Sequence, residues 1–278
     1  MILLSRFTAL LLMLACLVGC HSAEKGSHGS EPPFKVIGFF GGGEWRLQRM
    51  THLIPGFLAF DQDGNLAEWD LRSLAREAHD AGVKVIISFD GEHWQENFLP
   101  MTRNEDGSRD RFIANILRFC LDNEIDGVDY DWEIGGGFSP EQQALYSDLV
   151  VETRDAFAPY GLTVSIDAYF RDELNARGIA AVDWLQLMAY TDLEEMAHLI
   201  SYWESRGVLK EKIVIGMAAG WGENREGFDQ DLARAKTLHG IEGGYAGVMI
   251  FRTDLDPEDD ASILHAVDAT LAESGLTR

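Results

Sequence analysis

From residue 34 onward, short apolar or β-branched runs alternate with stretches whose apolar residues recur at helical spacing. Eight runs read as strands: Lys35–Phe39, Ile54–Phe60, Lys84–Phe89, Gly127–Glu133, Leu162–Ala168, Trp184–Ala189, Ile213–Ala218 and Gly247–Phe251. Several, such as VKVIISF and KIVIGMAA, are almost unbroken hydrophobic segments, the pattern of parallel strands covered on both faces. Helical patterns lie between most of them. Asp70–Asp80 ends at Ala81-Gly82, a usual helix stop. Ser108–Asn123 carries a broad apolar face built from Phe112, Ile113, Ile116, Leu117, Phe119 and Cys120. Ser139 is placed to cap a helix with Pro140 at its first position and Gln142 at its third, running to about Ala158. Asp192–Arg206, Asp229–Leu238 and Pro257–Glu273 complete the series, whereas Glu44–Met50 offers at most a short helix. This alternation predicts an α/β fold, a (β/α)8 TIM barrel in a single domain at residues 34–278. A doubly wound open sheet is the alternative. It is disfavoured because Gly41-Gly42-Gly43 after the first strand fits neither a dinucleotide fingerprint nor a P-loop.

The first 33 residues stand apart from this pattern. Residues 1–20 combine a short positive region at Arg6 with an almost unbroken apolar stretch from Phe7 to Val18, as in an export signal. That stretch falls short of the roughly 20 apolar residues of a membrane span. The ending Leu17-Val18-Gly19-Cys20 resembles a bacterial lipoprotein signal, which would make Cys20 the lipidated first residue of the mature chain; a plain secretory signal is the alternative. Residues 21–33 are polar, with Gly, Ser and two prolines, and read as a flexible tether. The expected location is the cell envelope or surface, with membrane contact only through the lipid. The chain is expected to act as a monomer.

Charge and cysteine usage narrow the chemistry. Asp and Glu outnumber Lys and Arg by 46 to 23, a formal charge of −23. That balance argues against nucleic acid and suits a neutral or cationic ligand, or simple solubility. Cys16 leaves with the signal and Cys20 is the lipid site, so Cys120 alone remains and an intrachain disulfide is not expected. The histidines are scattered and no Cys/His cluster has zinc-like spacing, so no metal or other cofactor is expected.

One segment breaks the apolar rule of the strands. Residues 126–133 read Asp126-Gly127-Val128-Asp129-Tyr130-Asp131-Trp132-Glu133, four carboxylates in eight positions. On a strand, Asp129, Asp131 and Glu133 share one face and Val128, Tyr130 and Trp132 the other. Three inward carboxylates repel each other, so at least one pKa should rise and keep a carboxylic acid protonated near neutral pH. Such a proton donor suits glycosidic bond cleavage. The carboxyl end of a barrel's fourth strand is also where active residues sit.

The octet resembles the strand-four signature D-G-x-D-x-D-x-E of glycoside hydrolase family 18, the chitinases and endo-β-N-acetylglucosaminidases. KVIISFDG at Lys84–Gly91, LMAYTD at Leu187–Asp192 and GVMIF at Gly247–Phe251 look like that family's motifs on strands three, six and eight. The resemblance implies a retaining, substrate-assisted glycosidase of β-1,4-linked N-acetylglucosamine. Glu133 would be the general acid and Asp131 the partner of the substrate's acetamido N–H. Asp129 would share a proton with Asp131 and regulate its charge, or serve as a purely structural hydrogen-bonding residue. Tyr190 would hold the acetamido carbonyl, while Met188 and Phe251 would pack against the sugar. Asp126, out of phase with the others, is expected to fix the start of the strand.

Three positions depart from the family pattern. Thr191 stands where Asp usually follows the strand-six tyrosine, with Asp192 next along but leaving the strand differently. Phe251 replaces a usual Trp, and Asp90 a usual Gly. Among the aromatics in loops after strands, Trp45, Trp94, Trp221 and Tyr169 are candidate sugar-stacking platforms, as is Phe138; Asp167 and Arg171 could add polar contacts. No long insertion follows the seventh strand, which implies an open groove. The other activities consistent with the sequence are an endo-β-N-acetylglucosaminidase acting on N-glycans or peptidoglycan, and a non-catalytic glycan-binding protein.

Overall fold

The computed structural model describes residues 34–40, 46–169, 171–220, 230–257 and 261–276, with the backbone alone for residues 90–94. Its strands are β1 (Lys35–Phe39), β2 (His52–Ile54), β3 (Lys84–Asp90), β4 (Gly127–Asp131), β5 (Thr163–Ala168), β6 (Trp184–Leu187), β7 (Ile213–Ala218) and β8 (Gly247–Phe251). All pair in parallel in sequence order, and β8 closes on β1 through pairs such as Val36↔Val248, giving the predicted barrel. The helices are α1 (Arg72–Asp80), α2 (Gly91–Thr102), α3 (Ser108–Asn123), α4 (Pro140–Phe157), α5 (Ala176–Ala181), α6 (Leu193–Ser205), α7 (Gln230–Gly243) and α8 (Ile263–Glu273). Between β1 and β2 the described residues contain only the 3-10 turn Leu47–Arg49.

Local chemistry accounts for several of these boundaries. Ser139 Oγ accepts from Gln142 N at 3.2 Å and Ser139 N donates to Gln142 Oε1 at 2.8 Å, a reciprocal cap for α4. Gly127, the second residue of the acidic octet, is required by packing rather than by chemistry. A Cβ there would lie 2.5 Å from the carbonyl oxygen of Thr163, so only glycine lets β4 and β5 approach this closely.

The second strand differs from expectation. It runs over His52–Ile54 rather than Ile54–Phe60, because Pro55 has no N–H to donate and Gly56 turns the backbone to a φ of 129°. Beyond the turn, pairing with β3 resumes at the isolated bridge Phe57↔Ser88, and Phe60 bridges Leu66. Helix α2 was hidden by its polar start, EHWQEN, and by Pro100 within it. Helix α5 has just six residues, with the Asn175 side chain capping its first N–H groups. Helix α8 starts at Ile263 instead of Pro257, where Ser262 caps it and Asp256 accepts from Ile263 N and Leu264 N.

Two apolar layers hold the barrel. Between strands and helices lie Val128, Tyr130 and Trp132 with Phe89, Phe98, Phe112 and Tyr146. Trp132 is 1% exposed and stacks on Phe98 at 5.0 Å and 9°. Cys120 is buried in the same layer, where desolvation pushes its thiol up and leaves it inert. Inside the barrel, Ile37, Phe39, Ile54, Val214 and Met249 fill the β7–β2 side. The β3–β6 side is polar instead, with Ser88, Asp129, Ser165, Asp167 and Gln186 all buried. That asymmetry positions the site.

Candidate active site

The octet follows the predicted alternation. Val128, Tyr130 and Trp132 pack outward under the helices, so Asp129 and Asp131 point into the barrel, fully and 93% buried respectively, Asp131 being 7% exposed. The ladder of β4 stops at Asp131, leaving half-buried Glu133 two residues past the strand rather than at its last position. An acid just beyond the barrel mouth can reach a substrate bound from solvent. Asp126 lies at the opposite end, where its Oδ2 accepts from Val85 N and meets His79 Nε2, each at 2.8 Å. It ties β3 and α1 to the start of β4 and has no part in the mouth.

Asp129 is the centre of the polar half-core. Its Oδ1 accepts from Ser165 Oγ at 2.6 Å and Gln186 Nε2 at 2.9 Å, and its Oδ2 from Ser88 Oγ at 2.8 Å. A side-chain hydrogen bond also links it to Asp167. Burial pushes the Asp129 carboxyl up, and these four hydrogen bonds pull it back. Sequence reasoning missed Ser88, Ser165 and Gln186. The signal that could have found them was polar side chains at inward positions of otherwise apolar strands, as in TVSIDA and WLQL.

Across the mouth, Tyr190 stacks on Phe251 at 6.1 Å and its hydroxyl lies 3.8 Å from Met249 Sδ. Phe251 meets Phe39 edge-on at 5.8 Å, and Phe39 meets Phe57 at 6.0 Å. With half-buried Met188, these rings form an apolar floor facing the carboxylates. Burial, with the nearby acids adding to it, pushes the Tyr190 phenol well above its ordinary value, so it acts only as a neutral hydroxyl. Asp192, the neighbour of Thr191, is committed elsewhere: its Oδ1 accepts from Glu194 N and Glu195 N at 3.0 Å and caps α6. It cannot stand in for an acid at residue 191.

The remaining candidates divide. Tyr169 is 49% exposed and, with Gly136, Gly137, Arg171, Glu195 and Leu199, lines a surface hollow of about 390 Å³ beside the mouth. Phe138 packs between Trp132 and Tyr146, at 5.3 and 5.6 Å, and belongs to the wall rather than to a platform. Cys20, Trp45 and Trp221 lie outside the described residues, as do the side chains of Asp90 and Trp94.

Residues 20–242 match the family model described as glycosyl hydrolases family 18. Among curated proteins, the chain is 25% identical to "Probable chitinase 10" of Drosophila melanogaster over 66% of its length. It is 24% identical to an "Endochitinase" of Brugia malayi over 62% of its length. The matches take in 11% and 44% of those relatives, so the chain spans less than half of either. Among solved structures, a family 18 chitinase of Flavobacterium johnsoniae superposes with a TM-score of 0.74 at 18% identity, covering 88% of this chain and 96% of that one. A chitinase of Rhizomucor miehei gives 0.73 at 18% identity, covering 85% and 99%. At such identities the likeness bears on the fold alone.

Proposed function

The chain belongs to glycosyl hydrolases family 18, and from that premise we propose that it is a retaining, substrate-assisted hydrolase of β-1,4-linked N-acetylglucosamine. The observation that carries this reading is one half-exposed carboxyl, Glu133, standing past two buried inward ones, Asp131 and Asp129, opposite the apolar floor. Glu133 gives its proton to the glycosidic oxygen as the bond to the anomeric carbon breaks. The substrate's own 2-acetamido oxygen forms the new bond to that carbon, producing an oxazolinium. Asp131 accepts a hydrogen bond from the acetamido N–H, orienting it and stabilising the positive charge that develops. Tyr190 donates to the acetamido carbonyl oxygen. Glu133, now a carboxylate, takes a proton from water as the hydroxyl adds to the anomeric carbon and the bond from the acetamido oxygen to that carbon breaks; the acetamido group is restored and configuration is retained.

Met188 and Phe251 support the sugar ring in this scheme. Tyr169 and the tryptophans Trp45, Trp94 and Trp221 extend the stacking surface for further sugars. A β-1,4-linked N-acetylglucosamine chain is neutral, and cationic where deacetylated, which suits a chain of formal charge −23. The short link between β7 and α7 favours an open groove and internal cleavage. We place the enzyme at the cell envelope as an exported monomer tethered by lipid on Cys20.

The test is incubation of wild type and Glu133→Gln with chitooligosaccharides, a high-mannose glycopeptide and peptidoglycan. Cleavage of chitooligosaccharides that vanishes in the variant is the expected result. Cleavage of the glycopeptide or peptidoglycan instead would move the assignment to an endo-β-N-acetylglucosaminidase. Binding without turnover in both proteins would mark a glycan-binding protein, and unaltered turnover in the variant would remove Glu133 from the acid role.

A further inference from the structure

Strand β5 carries a fourth inward carboxyl that the scheme above leaves unused. Asp167 is 3% exposed, lies beyond Ser165 on the same face, and pairs in register with Gln186 of β6. Among the described residues neither of its oxygens meets an N–H or O–H donor. Its polar neighbour is Asp129, to which it is joined by a side-chain hydrogen bond. Ionised carboxylates only accept, so that bond exists only if one of the two carries a proton. Asp129 already accepts from Ser88, Ser165 and Gln186, three donors that favour its anion. Asp167 has no such donors and faces the charges of Asp129, Asp131 and Glu133. The proton therefore resides on Asp167.

We propose that Asp167 is a positioning residue of the hydrolytic site, a neutral carboxylic acid that donates to Asp129 and completes its cage of four donors. The inference rests on the proposed hydrolase reading for its consequence, though not for its chemistry. A buried anion short of a donor draws on whatever proton is within reach. Without Asp167, Asp129 would take a shared proton from Asp131 and hold that side chain back from the acetamido group. With Asp167 in place, Asp131 is released to face substrate. Burial, reinforced by the three carboxylates of β4 and its loop, pushes Asp167 well above the ordinary range. The nearby phenols of Tyr190 after β6 and Tyr146 on α4 are pushed up by their own burial and stay neutral.

The experiment pairs a titration with a kinetic series. Carboxyl 13C NMR of aspartate-labelled protein, assigned by difference against Asp167→Asn, should show the Asp167 signal protonated and unmoved through the ordinary aspartate range. An Asp167 signal that titrates there, like a surface aspartate, would overturn the proposal. On chitooligosaccharides, Asp167→Asn, which keeps a donor but cannot ionise, should stay within about threefold of wild-type kcat. Asp167→Ala should lose kcat by about tenfold to a hundredfold, the worth of one hydrogen bond to a charged group, with KM little changed. Its acid limb should also move to higher pH, since Asp129 without its donor holds a proton longer. Wild-type kcat and pH profile in Asp167→Ala would refute the role. Should Asp167→Ala fail to fold, the titration and the Asn variant still decide. A wild type that cleaves none of these substrates counts against the hydrolase reading, while the titration still reads Asp167.

Discussion

Lys236 on α7 offers a pH-dependent test of how the β6 end of the site is held. The side chain is fully buried, and its ammonium donates to the carbonyl oxygens of Ala189 and, at 3.5 Å, of Gly216. Ala189 precedes Tyr190, so this contact anchors the backbone that presents the phenol. Burial lowers the Lys236 pKa from 10.5 to about 7, with Asp192 opposing the shift. A lysine depressed in the fold binds fewer protons folded than unfolded between those two values. Its contribution to stability is therefore present above the unfolded value and is lost as pH falls through the window to about 7. At about 1.36 kcal/mol per pKa unit the whole window is worth at most ~5 kcal/mol, of which about 2–3 falls between pH ~6 and ~9. Lys236→Met cannot titrate, and it leaves two buried carbonyls without their donor, a cost of about 1–3 kcal/mol that is the same at every pH. Urea unfolding of both proteins across this range cancels the other titrating groups in the difference. The Met variant should gain about 2–3 kcal/mol on wild type as pH falls from ~9 to ~6. Parallel stability curves would refute the depressed lysine.

Two further predictions address the cage and the wall. Gln186→Leu removes one donor from Asp129 and lets burial push that carboxyl higher; kcat on a cleaved substrate should fall about tenfold, with its acid limb moved to higher pH. An unchanged pH profile would show that Asp129 does not depend on this amide. Trp132→Ala empties the slot between Phe98 and Phe138 and should cost about 3–5 kcal/mol of unfolding free energy in urea. A loss under about 1 kcal/mol would mean the wall collapses into the gap.

The barrel was legible because its strands are apolar runs of the right length and number, and seven of the eight lay within two residues of expectation. The failure at β2 is instructive. IPGFLAF, from Ile54 to Phe60, carries no polar side chain, so hydrophobicity alone cannot say that the ladder ends at Ile54 and that Pro55 and Gly56 turn the chain away. Helix α2 failed for the opposite reason, since its polar start carries no apolar stripe until Phe98. Within the site, alternation along one strand gave the orientation of Asp129 and Asp131 correctly. The partners of Asp129 were hidden because they come from β3, β5 and β6. Only the barrel register brings Ser88, Ser165 and Gln186 beside it. Asp192 shows a further limit, as an acid one residue from the expected place is taken by a helix cap that the chain needs.

Participation of the substrate's acetamido group is the claim on which the roles of Asp131, Tyr190 and Asp167 all depend. Partially deacetylated chitosan tests it directly, because a glucosamine in the reacting position has no acetamido oxygen to form the oxazolinium. After limited digestion, every newly formed reducing end should be N-acetylglucosamine, whatever the overall degree of acetylation. Glucosamine at the new reducing ends would contradict the mechanism.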